Sequence, residues 1–219
     1  MRVIAHRGNS IAYPENTMEA FRSAAELGVD MIEFDVWLSA DGEAVVIHDE
    51  TVDRTTSGHA NVAGLDLCEL QRLGVPSLRD VLSLDIALNA EIKDPRAAER
   101  VVELAHARPK SVVSSFHLDA LDHVRRLNPW QAVAYLCESV DWHIVLQKAV
   151  AAGAVALNPP ADAVTPRLVD RVHAAGLEVM AFTVNDADLA VRFESWGVDA
   201  IFTDDPATML SVIRSGGSC

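Results

Sequence analysis

Four stretches of this sequence repeat one grammar. LGVDMIEFDV (27–36), AGAVALN (152–158), AGLEVMAFTV (175–184) and WGVDAIFTD (196–204) each pass from the end of an amphipathic segment, through a glycine, into a short apolar run. Gly28, Gly153, Gly176 and Gly197 stand where a helix ends in the left-handed conformation that suits glycine. The runs that follow read as buried strands, as expected of a parallel sheet covered on both sides. A unit of helix end, glycine and buried strand is what every crossover of a closed β/α barrel requires. The alternative, an open doubly wound sheet, would ordinarily use five to seven strands.

The rest of the chain supplies the count. Period-two and β-branched runs predict strands at Arg2–His6, Met31–Leu38, Ile86–Lys93, Ser111–Phe116, Ala132–Leu136, Ala154–Leu157, Glu178–Val184 and Ala200–Thr203. Helical patterns fall at Glu15–Leu27, Leu78–Leu84, Arg96–Ala107, Leu118–Leu127, Asp141–Ala152, Pro166–Ala175, Asp186–Ser195 and Pro206–Ile213. Thr165 and Asp205 are set to cap the helices opened by Pro166 and Pro206. Eight strands alternating with eight helices favour the same architecture: a (β/α)8, or TIM, barrel formed by residues 1–219 as one domain. One segment breaks the rhythm. Asp41-Gly42 signals a hairpin into a further run, Ala44–His48, and the polar stretch Asp49–Pro76 then reads as a small insertion.

Charge and cysteine usage exclude several classes. A net charge of −14 argues against a nucleic-acid partner, whose binding rests on Lys and Arg neutralising phosphates. Cys68, Cys137 and Cys219 are odd in number and widely spaced, which is neither a disulfide framework nor a zinc pattern. The N-terminal MRVIAHRGNS has no apolar signal region, and the longest apolar stretch, 144–157, is too short and too interrupted to span a membrane. A cytoplasmic protein without stable membrane insertion is expected, and a homodimer is compatible with the sequence.

The working face of a β/α barrel lies at the C-terminal ends of its strands. Sorted by that rule, His6-Arg7 end the first strand, Glu33 and Asp35 lie on the second, His48-Asp49 end the hairpin strand, and Glu91 and Lys93 end the next. Glu33 and Asp35 are two apart and share a face, as do Glu91 and Lys93. Three carboxylates in one barrel mouth need a counter-charge, and oxygen ligands alone favour Mg²⁺ or Ca²⁺ over zinc. Pairing with Arg7 and Lys93 is the plainer alternative. His6 and His48 are the natural proton carriers near neutral pH. Asp49 either orients His48 or caps the next turn. Of the other histidines, only His117 follows a strand end.

These residues stand in a telling order. His6-Arg7-Gly8, Pro14-Glu15-Asn16-Thr17, Glu33-Phe34-Asp35-Val36, Asp41-Gly42 and His48-Asp49 with Arg54-Thr55-Thr56 resemble the glycerophosphodiester phosphodiesterase family. Pro76-Ser77-Leu78, Glu91-Ile92-Lys93, Ser115-Phe116, Thr183-Val184-Asn185 and Thr203-Asp204-Asp205-Pro206 look like its later blocks, so the resemblance covers nearly the whole chain. It implies a TIM barrel with a small insertion, one divalent cation (Ca²⁺ or Mg²⁺) held by Glu33, Asp35 and Glu91, and His6 and His48 as the acid/base pair. It further implies that Arg7 and Lys93 contact phosphate and that Glu15 and Asn16 support the first loop. Phe182 stands where many members carry Trp, which leaves an apolar wall for a substrate's glycerol end but no indole donor.

The expected activity is metal-dependent hydrolysis of a small-molecule glycerophosphodiester to glycerol 3-phosphate and an alcohol. Two alternatives stand beside it. A lysophospholipase D acting on acylated substrate would need an apolar surface, for which Val62, Leu65, Leu67 and Leu70 are available, although their near-helical spacing suits packing against the barrel. A non-catalytic barrel used as a scaffold would be expected to have lost a site residue, and none is missing.

Overall fold

The computed structural model describes residues 1–105, 111–138 and 141–216. Nine strands form one sheet: β1 (Arg2–His6), β2 (Met31–Leu38), β3 (Ala44–Val46), β4 (Leu88–Ile92), β5 (Val112–Ser115), β6 (Ala132–Leu136), β7 (Ala156–Asn158), β8 (Glu178–Ala181) and β9 (Ala200–Thr203). Eight of them are parallel and run β1-β9-β8-β7-β6-β5-β4-β2, and a β1–β2 pairing closes the ring. The ninth, β3, is antiparallel to β2 and lies outside that ring. The expected (β/α)8 barrel with a hairpin strand after strand two is the observed fold.

The helices are α1 (Met18–Leu27), α2 (Leu67–Arg72), α3 (Leu78–Leu82), α4 (Ala98–Ala105), α5 (Leu118–Leu127), α6 (Trp142–Ala151), α7 (Pro166–Ala174), α8 (Ala187–Ser195) and α9 (Pro206–Gly216). Helices α1 and α4 to α9 each follow a barrel strand, and α3, after the insertion, takes that place between β2 and β4. Alternation along β2 explains both layers. Ile32, Phe34 and Val36 face outward into the helix-packed core, where Phe21 of α1 meets Phe34 edge-on at 6.0 Å. Met31, on the other face, joins Ile4, Val112, Ala134, Ala156, Met180, Ala200 and Phe202 in the barrel's own interior. Glu33 and Asp35 share Met31's parity and therefore point inward.

Several boundaries differ from the sequence expectation. Helix α1 starts at Met18 rather than Glu15. Asn16 takes φ +57°, which no helix accommodates, and Thr17 caps the helix by accepting a hydrogen bond from the Ala20 amide. Strand β8 ends at Ala181 rather than Val184, with Phe182 making a single bridge to Pro160. Strand β3 stops at Val46, two residues before His48. The final two residues expected in the helix over 96–107 lie outside the described residues.

The small insertion expected at 49–76 carries a helix that its polar composition did not announce. Asp66 and Glu69 form a reciprocal capping box that starts α2. Val62 and Leu70 are buried with Val45, Ile47, Val52 and Val75 in a separate apolar cluster under the insertion, with Leu65 and Leu67 against it. Those apolar residues pack against the hairpin strand and do not form an exposed groove.

Candidate active site

The first loop is built by backbone geometry. Arg7 adopts φ +57°, which aims its amide at Glu33 Oε2, 3.0 Å away. Gly8 follows at φ +85°, and a Cβ there would sit 2.7 Å from the Ala20 carbonyl carbon, so only glycine allows α1 to approach so closely. The loop then returns through Glu15 and Asn16. Asn16 Nδ2 donates to Asp35 Oδ2 at 2.8 Å, and Arg7 Nη1 donates to Glu15 Oε1 at 2.8 Å. Helix α1 starting late leaves both side chains free for these contacts.

A cavity of about 300 Å³ opens at the C-terminal ends of the strands, lined by His6, Arg7, Glu33, His48, Glu91, Lys93, Ser114, Phe116, Leu136, Glu138, Phe182, Thr183 and Phe202. The structure thus brings together His6, His48, Arg7, Lys93, Glu33, Glu91 and Phe182. Asp35 lies just behind the lining, fully buried, and Glu15, Asn16 and Asp49 stand further back, holding Arg7, Asp35 and His48. His117 is not among the lining residues; it stands at the start of α5.

Each histidine is held through its Nδ1. His6 Nδ1 lies 2.7 Å from Asp204 Oδ1, and Asp204 is itself fixed by Asn185 Nδ2 at 2.6 Å and Ser10 Oγ at 3.2 Å. His48 Nδ1 lies 2.6 Å from Asp49 Oδ1, while Arg54 Nε donates to Asp49 Oδ2 at 2.6 Å and Arg54 Nη2 reaches Glu15. Asp49 therefore orients His48, the first of the two roles open to it. The hydrogen bond from Arg54 holds the Asp49 carboxyl down to about 2, and bonds from His6 and Asn185 outweigh burial to hold Asp204 at about 2. Both remain ionised acceptors, so each imidazole keeps its proton on Nδ1 and leaves Nε2 as the nitrogen not engaged by a carboxylate.

Asp204, Asn185, Arg54 and Ser10 are site residues that sorting by strand ends did not assign. The strand-end rule names residues on the early strands. Carried round to β9, it reaches Asp204, the residue after the strand's last, and Asn185 lies on the facing loop.

Glu33, Asp35 and Glu91 each offer a carboxylate oxygen within 4.8 Å of the others. Lys93 Nζ bridges Glu91 Oε1 at 2.5 Å and Asp35 Oδ1 at 3.2 Å, and Arg7 Nε lies 3.3 Å from Asp35 Oδ2. Two cations among three acids leave a deficit. Burial, then the Asp35 charge, pushes Glu33 well above the ordinary carboxyl range and Glu91 to about 7. Asp35 is lowered despite its burial, because Lys93 and Arg7 flank it. Glu33 Oε1 is buried and, among the described residues, has no hydrogen-bond partner. Orphaned oxygen, shared charge and an all-oxygen donor set fit a hard divalent cation.

Fold and site together are those of a barrel hydrolase with its acids, bases and histidines gathered at the strand ends. The model of the glycerophosphoryl diester phosphodiesterase family matches residues 6–208. A glycerophosphodiester phosphodiesterase of Caldanaerobacter subterraneus subsp. tengcongensis is 36% identical, covering 98% of each chain. One from Bacillus altitudinis is 33% identical over 94% of this chain and 95% of its own. Among solved structures, a phosphodiesterase of Oleispira antarctica in complex with the product sn-glycerol-3-phosphate superposes with a TM-score of 0.90 at 29% identity, covering 98% of this chain and 97% of that one. The Thermotoga maritima glycerophosphodiester phosphodiesterase gives 0.88 at 27% identity, covering 97% and 98%. This chain belongs to the glycerophosphoryl diester phosphodiesterase family.

Proposed function

We propose that the chain hydrolyses water-soluble glycerophosphodiesters to glycerol 3-phosphate and an alcohol, acting in the cytoplasm as one catalytic barrel spanning residues 1–219 with 49–76 as its insertion. The observation that carries this reading is the pair of carboxylate-held histidines, His6 and His48, lining one cavity with Arg7 and Lys93. Arg7 and Lys93 neutralise the non-bridging phosphate oxygens of the bound diester. One histidine, neutral, accepts the proton of the nucleophile through Nε2; the nucleophile is either water or the neighbouring glycerol hydroxyl, and in the second case water then opens the resulting cyclic phosphate to glycerol 3-phosphate. The other, as the imidazolium, donates its Nε2 proton to the departing alcohol oxygen. The Asp204 and Asp49 carboxylates stabilise whichever ring is protonated. Phe182 walls the cavity where the glycerol carbons lie.

Glu33, Asp35 and Glu91 would hold one divalent cation, Ca²⁺ or Mg²⁺, which when bound supplies further charge neutralisation at the phosphate. Among the described residues, no helix is long and apolar enough to cross a membrane, which agrees with a water-soluble substrate.

Replacing His6 or His48 by Ala should lower kcat on glycerophosphocholine by roughly 10²–10⁴-fold. Near-normal turnover in either variant would remove that histidine from the reaction. A second reading, lysophospholipase D action on acylated substrates, draws on the exposed Ile11 and Tyr13 in the loop between β1 and α1, on the working face. Parallel assay of glycerophosphocholine and its monoacylated counterpart separates the two.

A further inference from the structure

The cavity is polarised in a way the hydrolytic step does not use. Arg7 and Lys93, with the three clustered acids, come from the β1, β2 and β4 side. Across the cavity, Phe116 follows β5, and Leu136 and Glu138 come from the end of β6. Glu138 is exposed at the mouth, and among the described residues no ion pair or hydrogen bond engages it. It shares the lining with Phe116, whose ring meets that of Phe182 edge-on at 5.9 Å. Phe116 already accepts a cation, since Lys93 Nζ lies 5.8 Å from its ring centroid, and Lys93 is itself compensated by Glu91 and Asp35.

We propose that Glu138, with Phe116 and Leu136, forms a head-group subsite that selects diesters whose departing alcohol carries an ammonium group, quaternary or primary. The proposal rests on the hydrolase reading above and specifies the substrate class of the same cavity. Its logic is charge matching along the substrate. A phosphodiester held at Arg7 and Lys93 presents one alcohol to each side. A neutral polyol arm makes no demand for a carboxylate, whereas an ammonium arm gains both a counter-ion and an aromatic face. The molecule's charge of −14 works in the same direction, because a zwitterionic diester approaches it without the net repulsion that a diester with a neutral head group meets.

The test is a kcat/KM panel with glycerophosphocholine, glycerophosphoethanolamine and glycerophosphoglycerol, for the unmodified enzyme and for Glu138→Gln and Glu138→Lys. The unmodified enzyme should favour the two cationic substrates. Glu138→Gln should shrink the cationic-to-neutral ratio by about 1.5- to fivefold, the range for an exposed ion pair, mainly through KM. Glu138→Lys should reverse the preference, and raised ionic strength should narrow it in the unmodified enzyme. An unchanged ratio in both variants, or an equal loss on all three substrates as expected of a contact to the shared glycerol end, would overturn the proposal. Absence of turnover on every member by the unmodified enzyme would instead refute the hydrolase reading, and the subsite with it.

Discussion

On the proposed reading, His6 and His48 would owe their chemistry to what each ring is tied to. A carboxylate on Nδ1 selects one tautomer and stabilises the imidazolium formed during proton transfer. The two ties differ: Asp204 is fixed by neutral donors, Asn185 and Ser10, while Asp49 shares its charge with Arg54. Asp204→Asn should keep the fold but lower kcat by roughly 10–100-fold, with a smaller change in KM, as is usual when an orienting partner of a histidine is lost. The same variant has a pH signature. The Asp204 carboxyl is held at about 2 in the folded chain against an ordinary 3.8. Its contribution to stability is therefore complete above the ordinary value and lost as pH falls toward 2. Acid denaturation of the unmodified protein should be steeper across that window than that of Asp204→Asn, and superimposable acid transitions would contradict the assignment.

At the scale of elements, the late start of α1 shows how capping decides a boundary that periodicity blurs. The helix expected from Glu15 has no apolar position before Met18, and Thr17 offers the better cap while Asn16 tolerates the left-handed conformation that turns the chain into it. The insertion shows the converse. Its apolar residues were legible, and so was their destination against the barrel, yet the capping box of α2 went unread because a six-residue helix leaves little periodic signal. Leu70 is fully buried in a cluster separate from the main cores. Leu70→Ala should cost about 2–5 kcal/mol locally. Limited proteolysis should then cut within 49–76 before the barrel unfolds; a single cooperative loss of both would show that the insertion is not a separately failing unit.

At the scale of the whole molecule, the three acids at the barrel mouth are a site of stored repulsion that a bound cation would relieve. A saturating divalent ion at a hundred times its Kd should stabilise the fold by about 2.7 kcal/mol, or roughly 5–10 °C for a chain of this size. Thermal unfolding with Ca²⁺, Mg²⁺ or chelator, in the unmodified protein and in Glu33→Gln, checks this without recourse to activity. A transition that neither ion moves would take the cation out of the reading. The negative charge that argues against a nucleic acid is no obstacle to one small diester on the proposed reading, because a cation held by Glu33, Asp35 and Glu91 would join Arg7 and Lys93 in reversing the sign locally.

Local patterning was enough to determine the strand and helix order, the glycines that end helices, and the inward direction of Glu33, Asp35, Glu91 and Lys93. Direction along a strand is a period-two property, and each residue carries it independently of the rest of the fold. The partner of each charged group was not available in the same way. His6 and Asp204 are 198 positions apart in the chain. They meet because β9 pairs with β1 in a register that sets Ala5 opposite Thr203, which places the next residue of each strand side by side. That register follows from ring closure and from the packing of all eight strands at once, and no short window of sequence contains it. The same closure turns Phe116 and Glu138 toward the cations of β1 and β4, so the polarity of the cavity, unlike its individual residues, belongs to the tertiary structure.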